Sequence, residues 1–210
     1  MQRHRALRLA LIVIACVARV SSSAAQSCCH SAAKETPNVI AGDSVAAPMR
    51  AVNTSTMRKE FNASSDKVRI VALLSPTCPD CQSGHAVVGR VLRKFSSSEL
   101  QTILVWEPMR EGDSPVAATR EADTLRDARI TQGWDSSKNI GGLFGQTLGL
   151  HAVAWDVYLV YKQGIKWEGT QPPPPTFWMH QLQGADPSLL LCANPTELSA
   201  EVGKLLRQPD

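Results

Sequence analysis

Few folds accommodate the junction at residues 68–81. The apolar run VRIVALL ends at Leu74, and Cys78-Pro79-Asp80-Cys81 follows four residues later. A β-rich run without alternation is expected to be a strand buried on both faces, as central parallel strands are. Beyond the cysteines, SGHAVVGRVLRKF sets Val88, Val91, Leu92 and Phe95 at helical spacing and leaves Arg90, Arg93 and Lys94 on other faces. Two cysteines thus stand where a buried strand turns into an amphipathic helix. That placement leaves three readings open: a redox pair, part of a metal site, or a structural disulfide.

Compartment bears on all three. The chain begins with Arg3, Arg5 and Arg8, continues through the apolar residues 9–15 and reaches small residues by Ser21 to Ala25, the order of a secretory signal. The apolar stretch is too short for an ordinary spanning helix. Two processing routes fit: cleavage after Ser23-Ala24-Ala25, or lipidation at Cys16, since Val13-Ile14-Ala15-Cys16 resembles the bacterial lipobox. Either route predicts export, to the periplasm or to a lipid-held position at the membrane facing the periplasm or the extracellular side. Residues 1–25 hold four of the 22 basic residues and no acid, so their removal leaves 18 basic against 19 acidic residues, a net charge of −1. Nucleic acid is therefore not an expected partner.

The expected organisation is a signal segment at 1–25, a flexible tether at 26–53 rich in Ala, Ser and Pro, and one domain at 54–210, acting as a monomer. A helix with a Ser or Thr cap precedes the first strand. After it, TILVWEP (102–108) reads as a strand, and Ser114-Pro115 caps and starts a helix running to about Arg129. IGGLFGQTLGL (140–150) reads as a short helix. AWDVYLVY (154–161), a turn at 162–164 and IKW read together as a β-hairpin. A long insert with four consecutive prolines, Pro172 to Pro175, then favours extended geometry. Asn194-Pro195-Thr196-Glu197 reads as a capping box ahead of a closing amphipathic helix. Beyond Cys16, five cysteines remain (28, 29, 78, 81 and 192), an odd number that excludes a fully paired disulfide framework within one chain. No phosphate loop with lysine, nucleophile-elbow serine or HExxH motif occurs.

This order, with the cysteine pair between buried strand and helix, resembles the thioredoxin fold, locally over residues 57–95 and again over 141–167. LLSPTCPDC with the later VWEP is similar to exported bacterial thioredoxin-like proteins. The resemblance implies an α/β three-layer domain, a central mixed sheet with flanking helices, and a redox-active disulfide, Cys78-Cys81, exchanging with a disulfide- or thiol-bearing protein or small molecule. It also implies a cis-proline just before the strand that enters the hairpin, facing the pair. Alignment with the family puts Ala154 there, beside Trp155, and a cis bond before a non-proline residue costs several kcal/mol, so Val153-Ala154 is expected trans. In the family that proline holds substrate backbone and keeps metal off the cysteines. Its absence strengthens a second reading, a carrier of soft metal such as Hg(II), Cu(I) or Zn(II).

The residue chemistry supports definite roles. Cys78 is expected at a helix N-terminus, where unpaired N–H groups and the helix dipole favour the thiolate, and Pro79 suits the first helical position. Cys81, one turn on and deeper, resolves a mixed disulfide. Asp80 opposes thiolate formation. His85, four residues after Cys81, shares its helix face, making Cys78, Cys81 and His85 a candidate ligand set for zinc or copper, with Cys28, Cys29 and His30 as a second cluster of soft donors. Cys192 reads as a small buried residue, and Glu121 and Asp123 as a solvated helix face. A non-catalytic partner-binding module, with the polyproline insert as its surface, is a third reading.

Overall fold

The computed structural model describes residues 47–208. Cys16, Cys28 and Cys29, with the signal and most of the tether, lie outside them. Strand β1 (Val68–Leu74) is buried along its whole length. Its alternation feeds two cores, Ile70, Ala72 and Leu74 one, Val71 and Leu73 the other. It pairs in parallel with β2 (Leu100–Trp106) and antiparallel with β4 (Val157–Tyr161). β3 (Ile130–Trp134) adds in parallel to β2, and β5 (Phe177–His180) antiparallel to β4, giving the order β3-β2-β1-β4-β5.

Helices cover both faces. α1 (Thr54–Ala63) and α4 (Asn139–Thr147) bury Met57, Phe61, Ile140 and Phe144 on one side. On the other, α2 (Pro79–Lys94) and α5 (Glu197–Leu206) bury Val88, Val91, Leu92, Leu198 and Val202, and α3 (Pro115–Ala122) adds Ala118. The architecture is the three-layer, thioredoxin-like α/β arrangement with a mixed sheet. No helix among the described residues is long and apolar enough to cross a membrane. Arg69, the charged residue of β1, donates from Nη1 and Nη2 to the carbonyls of Phe61, Lys162 and Ile165 at 2.9–3.1 Å, while its Nε has no partner. It also lies over the Phe61 ring at 4.3 Å, and although burial lowers its pKa to about 10, it stays charged near neutral pH.

Several expectations are corrected. Order begins before Thr54: Met49 donates to Pro115 O at 3.0 Å, Val52 to Trp134 O at 2.9 Å, and Ala51 bridges Trp134, so the tether's last residues cover the β3 edge. The cap of α1 is Asn53, in a reciprocal box with Thr56. α3 ends at Ala122, well short of Arg129, and ITQGW, unassigned from sequence, forms β3. The hairpin partner of β4 is FWMH (177–180), not IKW. Trp167 is instead buried, its backbone bonded both ways to the Asn62 side chain at 2.8 and 3.0 Å. The prolines therefore lie inside the β4–β5 connection, pinned by Thr147 to Pro172 O and Tyr161 to Pro173 O, both at 3.1 Å. The capping box at 194–197 does not form; Thr196 stands at the α5 N-cap without a side-chain bond. Cys192 is half-buried.

Candidate active site

β1 runs out at Leu74, and Ser75, Pro76 and Thr77 carry the chain over the sheet's end to Cys78, the N-cap of α2, with Pro79 at the first helical position. The Cys78 carbonyl accepts from Gln82 N at 3.0 Å and so begins the helix. The turn is held from outside by Asp113. Its carboxylate accepts from Ser75 Oγ (2.7 Å), Thr77 N (3.0 Å) and Thr77 Oγ1 (2.7 Å), and from Met109 N (2.9 Å) and Arg110 N (2.8 Å). One side chain thereby ties the cysteine loop to the loop after β2. Sequence reasoning passed over Asp113, whose one local signal is its place before the Ser114-Pro115 helix start.

Both cysteines are thiols with opposite environments. Cys78 is 3 % exposed and lines a cleft, while Cys81 is wholly buried and accepts from Ser75 N at 3.4 Å. The hydrogen bond from Cys81 is the main cause lowering the Cys78 pKa from 9.0 to about 7; the N–H groups of Cys81 and Asp80 help, while burial and the Asp156 charge oppose. Burial first, and then donation to Cys78 and the Asp156 charge, push Cys81 well above its ordinary value.

Sequence reasoning also missed Asp156. β4 starts at Val157, so the position before the strand, facing the cysteines, belongs to Asp156 and not to Ala154. Ala154 lies two residues earlier, buried in the opposite core with its N–H on Gly141 O at 2.9 Å. Among the described residues no peptide bond is cis, and Asp156 meets the bend with a left-handed φ of 54°, which Asp tolerates better than most residues. Its N–H donates to Leu73 O at 2.7 Å and its carbonyl accepts from Gln181 N at 3.0 Å. Tyr158 Oη and Gln181 Nε2 both donate to its Oδ1, at 2.7 and 3.1 Å. The tyrosine reaches it beneath α2 at Gly84, where a Cβ would overlap the ring. Burial raises the carboxyl pKa, against the hydrogen bonds from Tyr158, Gln181 and Cys81. Cys78, Cys81 and Asp156 place ligand-capable atoms within 4.8 Å of one another.

His85 is not part of this group. It lies 1 % exposed with Nδ1 3.2 Å from Glu121 and its ring edge-on to Trp106, so Glu121 is a half-buried partner of His85 and not simply a solvated face. Trp155 does line the cleft. That cleft, about 860 Å³, has Cys78 and Asp156 in its wall, Trp155, Trp178 and Leu182 as apolar surface, and Arg110 at its lip.

No family model matches the chain, and no curated protein is similar to it in sequence. Among solved structures, the chain is similar to dsbF from MTB, in its mixed oxidized and reduced forms, at 18 % identity over 70 % of this chain and 84 % of that one, with a TM-score of 0.42. A secreted Mycobacterium tuberculosis disulfide oxidoreductase homologous to E. coli DsbE matches at 14 % identity over 68 % and 85 %, TM-score 0.41. The thioredoxin domain of a thiol-disulfide oxidoreductase from Bacteroides vulgatus matches at 13 % identity over 79 % and 98 %, TM-score 0.42. Likenesses this distant leave the chemistry to be read from the cysteine pair itself.

Proposed function

We propose that the protein is an exported thiol-disulfide oxidoreductase in which Cys78 is the nucleophile and Cys81 the resolving thiol. The carrying observation is their asymmetry. One sulfur borders the cleft with a pKa of about 7, and the other is buried and held protonated. At neutral pH the Cys78 thiolate attacks one sulfur of a substrate disulfide, forming a mixed disulfide and releasing the other half as a thiolate, which takes a proton from water. Cys81 then yields its proton to the Asp156 carboxylate and attacks Cys78 Sγ. The second half leaves as a thiolate, which takes back the proton held by Asp156, and a Cys78–Cys81 disulfide remains. The reverse sequence oxidises a dithiol. A carboxyl that burial holds above its usual range is suited to take up and return that proton.

Export rests on the order of Arg3, Arg5 and Arg8, the apolar residues 9–15 and the small residues 21–25. Attachment by lipid at Cys16 is tested by detergent partitioning; soluble protein beginning near Gln26 rules it out. The exchange reading is tested by trapping. Cys81→Ala should accumulate a mixed disulfide on Cys78, and Cys78→Ala should accumulate none. Absence of adducts from both variants, with the fold intact by circular dichroism, overturns the reading.

A further inference from the structure

Cys78, Cys81 and Asp156 are all buried and bring two sulfurs and a carboxylate oxygen within 4.8 Å of one another, a donor set that a metal ion can use as well as a proton. We propose that in the reduced protein these three side chains bind one zinc ion, with the fourth coordination position open to the cleft.

Donor type selects the metal. Two thiolates suit thiophilic d10 ions, and the carboxylate oxygen favours zinc over copper(I), which prefers an all-soft set, while the sulfurs exclude calcium and magnesium. Zinc–sulfur and zinc–oxygen bonds of about 2.3 and 2.0–2.2 Å in a tetrahedron set the donors roughly 3.5–3.8 Å apart, against a present spread of at most 4.8 Å. Asp156 arrives pre-oriented. Its backbone is fixed to Leu73 and Gln181, and Tyr158 and Gln181 both hold Oδ1, leaving Oδ2 outside those bonds. Outer partners of this kind align metal-binding carboxylates. Three protein ligands with an open fourth position is the pattern of reactive rather than structural zinc. Cys78 and Asp156 both lie in the cleft wall, so that position faces a space of about 860 Å³.

Binding displaces the thiol protons to solvent. Oxidation by a disulfide substrate, which is reduced to two thiols, joins the two sulfurs and removes two of the three ligands, releasing the ion. Metal-loaded and disulfide forms are thus mutually exclusive. The site itself stands apart from the exchange reading; only its release by oxidation rests on that reading.

The test is zinc(II) titration of the reduced full chain against a chromophoric chelator, with cobalt(II) as spectroscopic substitute. The expected result is one ion per chain with sulfur-to-cobalt charge transfer, lost on oxidation. Asn keeps the left-handed backbone and the Tyr158 contact but removes the anionic donor. Asp156→Asn should therefore weaken zinc binding by at least roughly tenfold, the loss that even an outer partner's removal brings. Asp156→Cys, which restores a donor, should recover tight binding, as a merely structural residue would not. The proposal is overturned if the reduced wild type fails to compete with a chelator of micromolar affinity, or if Asp156→Asn binds as tightly as wild type. It also falls if the ion persists in Cys78→Ser/Cys81→Ser, which would assign it to other cysteines. Trapping by Cys81→Ala without zinc binding in the wild type would sink this inference and leave the exchange reading standing; zinc binding without trapping would do the opposite.

Discussion

Glu107→Gln should make the protein more stable in base and leave it nearly unchanged in acid. Glu107 directly follows β2, fully buried, with Oε1 accepting from Gly141 N at 2.7 Å and Oε2 without a partner. Burial pushes its carboxyl from 4.5 up to about 8; the Asp135 charge adds to this, while the Gly141 N–H and the Lys138 charge oppose it. In the unfolded chain the group ionises near 4.5, whereas the native protein keeps its proton until about pH 8. Between those values the native state binds more protons, so stability falls as pH rises, and above about 8 it falls no further on this account. At about 1.4 kcal/mol per pH unit, the interval corresponds to an upper figure of roughly 5 kcal/mol, a large share of the 5–15 kcal/mol of a typical domain. Glutamine keeps the acceptor for Gly141 and cannot ionise. Urea unfolding of both proteins at about pH 5 and about pH 8.5 reads the difference directly. Near-equality in acid and an advantage of several kcal/mol for the variant in base is the expected pattern; a gap that does not change with pH refutes the reasoning.

Alkylation of reduced Cys78 should rise through a midpoint near pH 7, and in Cys81→Ala the midpoint should move toward the ordinary 9.0, because the Cys81 hydrogen bond is the leading cause of the depression. An unmoved midpoint would remove that cause. Asp113→Ala should lower stability by about 2–3 kcal/mol, since five donors lose a charged acceptor but can be rehydrated at this half-buried site, and should slow alkylation of Cys78. Wild-type alkylation kinetics in that variant would show the loop holds without it. Gly84→Ala should destabilise by about 1–3 kcal/mol or more through overlap with Tyr158, and combining it with Tyr158→Phe should be less than additive; strict additivity in denaturation would show that the two do not meet.

How much of this was legible follows from where each signal resides. β1, the CxxC and α2 were readable because burial on both faces writes a continuous apolar run and an exposed helix writes a period. β3 was not, because an edge strand containing Thr131, Gln132 and Gly133 draws its order from β2 and from residues 50–52. FWMH is four residues long and follows a proline run, so its pairing with β4 is a long-range fact. Starting β4 at Ala154 rather than Val157 misplaced the residue facing the cysteines by two positions and hid Asp156. His85 failed differently. Four residues along a helix keep a side chain near the same face but carry it about 6 Å deeper, and here that depth belongs to Trp106 and Glu121 rather than to the sulfurs.

The concentration of chemistry at one end of the sheet follows from strand direction. β1, β2 and β3 are mutually parallel, so their carboxyl ends share one edge, and the antiparallel β4 brings its beginning to the same place. Cys78 follows the end of β1, Glu107 and Asp113 follow β2, Asp135 follows β3, and Asp156 precedes β4. A charge buried inside a strand needs hydrogen-bond partners, and Arg69, at the opposite edge, finds three carbonyls for its two terminal nitrogens. At the carboxyl edge the chain leaves the sheet, and freed N–H groups of turns and helix starts can serve an anion. Asp135 takes Ser137 N and Ile140 N, Glu107 takes Gly141 N, and Asp113 takes Thr77, Met109 and Arg110 N. Asp156 differs in that side chains, not N–H groups, hold its carboxylate. Tyr158 and Gln181 engage one oxygen only, so of these four acids it is the one set among the two sulfurs with an oxygen outside its protein hydrogen bonds to oxygen and nitrogen donors. On the two proposals above, this carboxyl exchanges a proton with Cys81 or binds an ion beside it, and the two uses exclude each other at any instant. Zinc should therefore inhibit disulfide exchange in proportion to its occupancy of the reduced protein.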